Sequence, residues 1–549
     1  MQLFGHTLSS HRFPVVAAVG FGVGARLGIE LPVTGDVALL GALVLLGSAL
    51  ASACVTTGDR SMARFLILVA FLPGGTAWGA WRELGRPPDP LVGLDGAPVL
   101  VRGLVSRPEG ISTRSCRLFV RVDWMAVGTR GQWKEVSRAP GSTLLVRIPA
   151  PRARGGESGA RCWSAPARWG DRVVVTGTLG NPSAGPRALP SYAAWLALQD
   201  VLHVVASRNG ADVAVLRSGS RNPALALAIP VRRSLEEAVD RGLPPTEAAL
   251  LKGIVLAEGN ALPDEVAAPF RATGTWHVMV TAGLHVNVAI ALFASLLGGM
   301  GLSGRRAALL CVPLVVGYAL VVGGSPSVTR AAIMGSAVLL GHACGRRCDS
   351  IASLGVAVLA MVTWDPRITA HVGFHMSVAC VVGIATLGRA LRVRLTRFPH
   401  GVRGVMAATL ATQMAVAPLA AACFGTVSLT AVLANVLVVP LCEAALAGGL
   451  LMATSVAVIS LGTANALPGM VDGLAGAAGW PIVLLLRLVT WLVGIVGVVP
   501  GSELPAEPPG VGFTLAYWVC LGVLARLLAP ASRVGTASRR RRGGARARD

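Results

Sequence analysis

The sequence predicts a polytopic α-helical membrane protein of about twelve spans, with a small β domain inserted outside the membrane. Of the 549 residues, 53% are hydrophobic and only 14% are charged, and the mean hydropathy is +0.64. These values exclude an ordinary soluble enzyme. Apolar runs long enough to cross a bilayer recur along the chain, and one long polar stretch, residues 82–219, interrupts them.

Three apolar runs precede the polar stretch and form a predicted N-terminal membrane region, residues 1–81. They are Pro14–Leu31, Val37–Val55 and Phe65–Trp81. Nine more runs follow within a second membrane domain, residues 271–530. They are His277–Leu302, Ala307–Val322, Val328–Gly341, Ile351–Trp364, His371–Leu387, Val405–Cys423, Leu429–Ser455, Gly473–Val499 and Val511–Leu528.

Arginines in alternate loops indicate the orientation of these spans. Arg305 and Arg346 mark two such loops, and five arginines between Arg389 and Arg403 mark a third. Because basic residues are retained on the cytoplasmic side, we expect both termini to be cytoplasmic and residues 82–219 to lie outside. The terminal segment, residues 531–549, is strongly basic, which is typical of a disordered anchor at anionic lipid or, alternatively, of a contact with nucleic acid.

The polar stretch contains six short β-branched runs separated by turn residues, which predict a small closed β-barrel. The runs are Val99–Val105, Cys116–Val127, Thr143–Ile148, Val173–Leu179, Val201–Ala206 and Val213–Leu216. The two cysteines of this region, Cys116 and Cys162, are candidates for a disulfide if the domain is extracytoplasmic, or for two structural thiols.

Residues 220–270 are predicted to be a helical linker. Between Asn222 and Arg241, apolar residues recur at helical spacing among charged ones such as Arg232 and Glu236. This pattern suits an amphipathic helix on the membrane surface, or equally a solvated helix.

Polar residues within the apolar runs are the candidates for function, because such residues face protein or water rather than lipid. The stretch Phe270–Leu297 contains Thr273-Gly274-Thr275-Trp276-His277 and, soon after, Ala282-Gly283-Leu284-His285-Val286. Further along are Arg330-Ala331-Ala332-Ile333-Met334, Gly373-Phe374-His375-Met376-Ser377, and Asn435 followed by Pro440.

In order and spacing these motifs resemble those of the ComEC-type competence membrane proteins, which carry DNA into bacteria. The segments Trp169-Gly170-Asp171 and Gly177-Thr178-Leu179 resemble the OB-fold-like domain of that family. Two positions depart from the family pattern: Ala282 replaces a serine and His375 replaces a glutamine. If either side chain touches the substrate, these departures affect transport.

The resemblance implies a channel in the bacterial cytoplasmic membrane for single-stranded DNA. The predicted path residues are His277, Gly283, His285, Asn287, Arg330, His375, Gln413 and Asn435. For each polar one singly, a hydrogen bond between helices is the alternative role. Implied partners are DNA, membrane lipids, a surface DNA receptor, a cytosolic DNA translocase and a separate nuclease. No cofactor is implied.

Catalytic function is not predicted. The H-x-H-x-D-H motif of the metallo-β-lactamase-like domain found in many family members does not occur, so we expect the shorter form without this nuclease-like domain. His371 and His375 share a helical face, but Val372 stands where an H-E-x-x-H site has its glutamate. An intramembrane metal-dependent hydrolase, or a transporter or scaffold for envelope polymers, remains the alternative.

Overall fold

The computed structural model describes residues 13–30, 60–84, 89–111, 115–129, 132–136, 142–149, 167–182, 193, 196–197, 199–209, 212–220, 222–257, 262, 264–279, 283–346, 349–462, 468–499, 502 and 504–528. Internal contacts divide the chain into two units. The first comprises Met1–Ser377 and Ser428–Leu504, and the second comprises Val378–Val427 and Pro505–Asp549.

The first unit begins with two helices, α1 (Phe13–Glu30) and α2 (Arg60–Leu84), that pack side by side. Glycines on both helices permit the contact: a Cβ at Gly24 would lie 2.0 Å from the Leu72 carbonyl oxygen, and one at Gly79 would lie 2.2 Å from that of Ala25. Both helices correspond to predicted spans. The predicted second span, Val37–Val55, lies outside the described residues.

The β domain consists of seven strands: β1 (Pro98–Ile111), β2 (Ser115–Thr129), β3 (Gln132–Glu135), β4 (Thr143–Pro149), β5 (Asp171–Gly180), β6 (Val201–Ala206) and β7 (Val213–Ser218). Each of the six predicted runs is a strand. The additional strand, β3, is exposed at all four positions and pairs only with β2, so its sequence has no apolar alternation to reveal it.

Pairing between five of these strands forms a closed circuit. β1 pairs with β2, β2 with β4, β4 with β6, β6 with β5, and β5 again with β1. Only the β4–β6 pair is parallel. The inward-facing side chains, among them Val101, Leu118 and Val175, are fully buried and form the core of the domain.

The helices of the first unit after the β domain are α3 (Pro223–Gly242), α4 (Pro245–Leu256), α5 (Asp264–Ala272), α6 (Gly283–Gly299), α7 (Gly304–Val322), α8 (Pro326–Ala343), α9 (Ser350–Trp364), α10 (Val372–Gly383), α13 (Ala431–Gly462) and α14 (Pro468–Val498). Short 3₁₀ turns lie at Trp276–Val278 and Pro366–Ala370. The boundary between the units falls within α10.

The second unit contains the end of α10, a π turn (Ile384–Gly388), α11 (Arg389–Arg394), α12 (His400–Phe424) and α15 (Val511–Leu528). Two-residue strands occur at Thr426–Val427 and Leu504–Pro505. Pro418 has no N–H to donate to the Met414 carbonyl one turn earlier. The Tyr517 hydroxyl donates to that carbonyl instead, at 2.8 Å, and so joins α15 to α12.

Within the described residues, five helical stretches are long and apolar enough to cross a membrane. They are Gly304–Val322, Val372–Arg394, His400–Cys423, Ala431–Ser460 and Gly469–Val498. Three shorter apolar helices cover His285–Gly299, Ser350–Trp364 and Gly512–Leu528. The chain is therefore a multi-pass membrane protein, whereas the number of twelve spans stays a prediction.

Two predicted elements take a different form in the structure. The predicted span His277–Leu302 is divided, because His277 belongs to the 3₁₀ turn and α6 begins only at Gly283. The segment predicted as an interfacial or solvated helix, α3, packs against α7, α13 and α14. Its buried residues include the charged side chains of Arg232 and Glu236.

Candidate functional site

The Thr273–His277 motif forms a tight turn after α5. The Thr273 hydroxyl donates to the Pro269 carbonyl at 2.9 Å, and the hydroxyls of Thr273 and Thr275 are 2.9 Å apart. Gly274 has a φ of +68°, and a Cβ there would lie 3.0 Å from the Cβ of Ala431. The two threonines thus satisfy helix-end carbonyls, and the glycine allows the turn to pack on the start of α13.

The two histidines that follow lie close to each other. His277 Nδ1 is 3.0 Å from the Gly274 carbonyl oxygen, to which it donates. The His277 side chain is exposed. The His285 side chain is buried in the first turn of α6, within electrostatic reach of His277. The structure therefore brings this predicted pair together.

Gly283 and Arg330 also meet. Arg330 lies in the second turn of α8 and its side chain is buried, with 6% of its surface exposed. A Cβ at position 283 would lie 3.0 Å from Arg330 Nη2 and 3.2 Å from the Cβ of Ala331. The small residue at the start of α6 therefore makes room for a guanidinium, which does not extend to the open surface.

The other predicted path residues differ from one another in burial and in the helix that carries them. Asn435 is buried on α13, and its Oδ1 accepts no hydrogen bond from the described residues. Asn287 is exposed on α6. His375 is exposed on α10, where it interacts with the Thr369 backbone and with the charge of Arg26. Gln413 is half-buried on α12, in the second unit.

The β domain contacts the helices of the first unit on the side where α7 ends and α8 begins. The Arg232 guanidinium on α3 lies 5.4 Å from the ring of Trp169 in the β domain and donates to the Val321 carbonyl at the end of α7, at 3.0 Å. The neighbouring Arg233 donates to Asp171 of β5 at 2.6 Å. Gly283, Arg330 and the two histidines therefore lie at the β-domain end of the helices.

A second contact connects the β domain with the helices. Arg367, in the 3₁₀ turn after α9, forms an ion pair with Asp200, which precedes β6. It also pairs with Glu83 at the end of α2, at 3.2 Å. The loop that contains Arg367 and the end of α2 therefore lie on the same side as the β domain.

The sequence patterns did not predict two polar groups of the first unit, the Arg232–Glu236 pair and Glu443. The amphipathic pattern predicts Arg232 and Glu236 on the polar face of a surface helix, whereas they form a buried ion pair of 2.8 Å. Glu443 lies half-buried near the middle of α13. The sequence does indicate this residue as a candidate for function, because it is an isolated carboxylate within the apolar run Leu429–Ser455.

The part of the chain that the structure describes contains no group of three or more histidine, cysteine, aspartate or glutamate residues that could hold a metal ion. Cys116 is fully buried on β2, facing the core of the β domain. Its proposed partner, Cys162, lies outside the described residues. Burial raises the pKa of the Cys116 thiol to about 11.

Comparison with known proteins identifies the helical part of the chain. The family model described as "Competence protein" matches residues 254–531, just over half of the chain. ComE operon protein 3 of Bacillus subtilis (strain 168) is 25% identical over 137 residues, which cover 25% of this chain and 18% of that relative. No solved structure matches this chain.

Proposed function

Since the chain belongs to the competence protein family, we propose that it carries DNA across the cell membrane during natural transformation. The transported form would be a single strand. The observation that carries this proposal is the presence of two pairs, Gly283 with Arg330 and His277 with His285, at the end of the helices to which the β domain is joined.

A polyanion can pass a bilayer only along a route lined by polar or cationic groups and shielded from lipid. Arg330 supplies a permanent positive charge, and its planar guanidinium matches two oxygens of a phosphate. His277 is exposed in the turn before α6 and lies within electrostatic reach of His285. These groups form the proposed entrance of the route, and Asn435, Asn287, His375 and Gln413 are proposed path residues.

We propose that the β domain is an OB-fold-like barrel that handles the strand before it enters. The closed circuit of five strands with one parallel pair supports this assignment. Two aromatic features suit base stacking: Trp133 on β3 is 55% exposed, and Arg102 lies 6.0 Å from the ring of Trp124. Single-stranded DNA binds through such aromatic and basic surfaces.

The proposed orientation has both termini in the cytoplasm and the β domain outside. Reporter fusions at Gly155 and Asp549 should then report opposite sides of the membrane. The proposed partners are a surface receptor that delivers DNA, and a cytosolic translocase and a nuclease on other chains.

The decisive experiment is uptake of fluorescent DNA by cells with and without this gene. We expect the deletion strain to bind DNA at its surface but not to internalise it, and a plasmid copy to restore uptake. Normal uptake in the deletion strain would refute the proposal. Chelator-sensitive hydrolysis by the purified protein would instead support the alternative of an intramembrane hydrolase, and loss of an envelope polymer would support the scaffold.

A further inference from the structure

Helices α3 and α4 form a hairpin whose two ends lie at the same end of the first unit. The Arg232 guanidinium, midway along α3, donates both to the Val321 carbonyl of α7, at 3.0 Å, and to the Leu256 carbonyl at the end of α4, at 3.3 Å. The Tyr318 hydroxyl of α7 donates to the Val255 carbonyl at 3.1 Å. The chain therefore enters and leaves this hairpin on the side of the β domain.

The tip of the hairpin lies deep among the spanning helices. Gly242, at the end of α3, contacts α14: a Cβ at Gly479 would be 2.2 Å from the Gly242 carbonyl oxygen. The neighbouring Arg241 donates to Ser460, near the far end of α13, at 3.3 Å. Because α13 and α14 are both long enough to cross a membrane, α3 and α4 are a re-entrant hairpin rather than a surface element.

The returning helix places a charge pair near the middle of an apolar stretch that is long enough to cross a membrane. Glu247, in the first turn of α4, accepts from Arg487 Nε of α14 at 2.7 Å. Arg487 lies about 5 Å from the midpoint of the apolar stretch Gly469–Val498, at about 1.5 Å per residue. The half-thickness of the hydrocarbon core is about 15 Å, so in a bilayer centred on that midpoint this guanidinium lies well inside the core.

Exposure distinguishes this pair from an ordinary buried ion pair. The Arg487 side chain is 64% exposed, whereas Glu247 is 13% exposed. A second pair on the same hairpin, Lys252 and Asp240, is joined at 2.7 Å, with exposures of 21% and 45%. Protein covers less than half of the Arg487 side chain, so at this depth the guanidinium faces either lipid or water. A charge in lipid is strongly disfavoured.

We propose that the Glu247–Arg487 pair borders a water-filled crevice that reaches the middle of the membrane beside the α3–α4 hairpin. Such a crevice would admit water and small ions to the pair. The inference does not depend on what the protein transports, since it follows from the depth, pairing and exposure of these side chains.

Cysteine accessibility tests the crevice. In a cysteine-free variant we would introduce Arg487→Cys together with Glu247→Gln, so that no carboxylate is left unpaired. A membrane-impermeant cationic methanethiosulfonate would be applied to intact cells and to inverted vesicles. The control is Leu488→Cys, at nearly the same depth on a side chain that is 41% exposed. These reagents react with thiolates, which form in water and not in lipid.

We expect the cysteine at 487 to react at least about tenfold faster than the one at 488, from one side of the membrane. Equally slow reaction at both positions would overturn the proposal, because the pair would then face lipid or a covering protein.

A second pair of variants tests the insertion of the hairpin. Gly479→Ala should lower the amount of protein in the membrane, because its Cβ would collide with Gly242. Gly476→Ala should not, because nothing lies within 4 Å of a Cβ there. Equal amounts of the two variants would show that Gly242 does not pack on α14, and this would remove the depth of the hairpin on which the proposal rests.

Discussion

Gly283 packs directly against the guanidinium of Arg330, so that a Cβ at position 283 would lie 3.0 Å from Arg330 Nη2. That distance is shorter than ordinary van der Waals contact, and Ala331 limits movement on the other side at 3.2 Å. A Cβ at position 283 would therefore require the guanidinium of Arg330 and the start of α6 to move apart by a few tenths of an ångström. Two predictions follow from the pair, one for each residue.

Gly283→Ala should reduce DNA uptake while the protein still accumulates in the membrane. Overpacking at such a contact costs about 1–3 kcal/mol, which is enough to displace the guanidinium. The matched control is Gly298→Ala on the same helix, where nothing lies within 4 Å of the added Cβ. Uptake and membrane protein level would be measured for both variants, and equal uptake would contradict a role for the contact.

Arg330→Gln should abolish DNA internalisation without loss of surface DNA binding, if the guanidinium contacts the phosphate backbone. Arg330→Lys should restore only part of it, because lysine keeps the charge but not the two-pronged hydrogen bond. Arg306→Gln, at an exposed position at the start of α7, is the control and should be neutral. Normal uptake by Arg330→Gln would remove this residue from the proposed route, and loss of folded protein would indicate a structural ion pair instead.

Arg232→Met should strongly destabilise the protein. The guanidinium donates to Glu236, Leu256 and Val321, and its removal breaks a buried ion pair, which typically costs about 3–5 kcal/mol. The double variant Arg232→Met, Glu236→Met removes both charges and should recover a large part of the loss. Thermal unfolding of the detergent-purified proteins would compare the two. A double variant as unstable as the single one would show that the guanidinium acts through its backbone contacts and not through Glu236.

Cys116 should react slowly with maleimide in the folded, reduced protein. Burial raises the pKa of its thiol from 9.0 to about 11, so roughly one thiol in a thousand is ionised at pH 8. Reactivity should increase as the pH rises toward 11, and it should reach the ordinary rate in denaturant at pH 8. Reaction with and without prior reduction also tests the predicted disulfide with Cys162. Rapid labelling of the unreduced, folded protein at position 116 would exclude both the buried thiol and the disulfide.

Local patterns predicted most of the elements. The alternation of β-branched residues located all six strands that build the circuit and its β7 extension, because one face of each is buried in the domain core. Strand β3 was not predicted, because all four of its side chains are exposed and its sequence has no apolar alternation. Long apolar runs located α12, α13 and α14 for a similar reason, since lipid requires apolar side chains along the whole length of a helix.

The division of the predicted span at His277 could not be predicted from hydropathy. The residues from Trp276 to Val278 are nearly as apolar as those of α6, and what separates them is backbone geometry. The turn depends on Gly274 at a φ of +68° and on hydroxyls that bond to carbonyls of α5. Such bonds replace helical ones without any change in mean hydropathy.

The sequence by itself determined the membrane class, the position of the β domain, the extent of most helices and the family motifs, because length, period and spacing are local properties of a chain. Only the tertiary structure decided that one face of α3 packs against α7, α13 and α14, that β1 closes on β5, and that Arg330 lies on Gly283. Each of these is a contact between residues far apart in the chain. An amphipathic pattern shows which face of a helix is apolar, but not whether lipid, water or another helix will cover it.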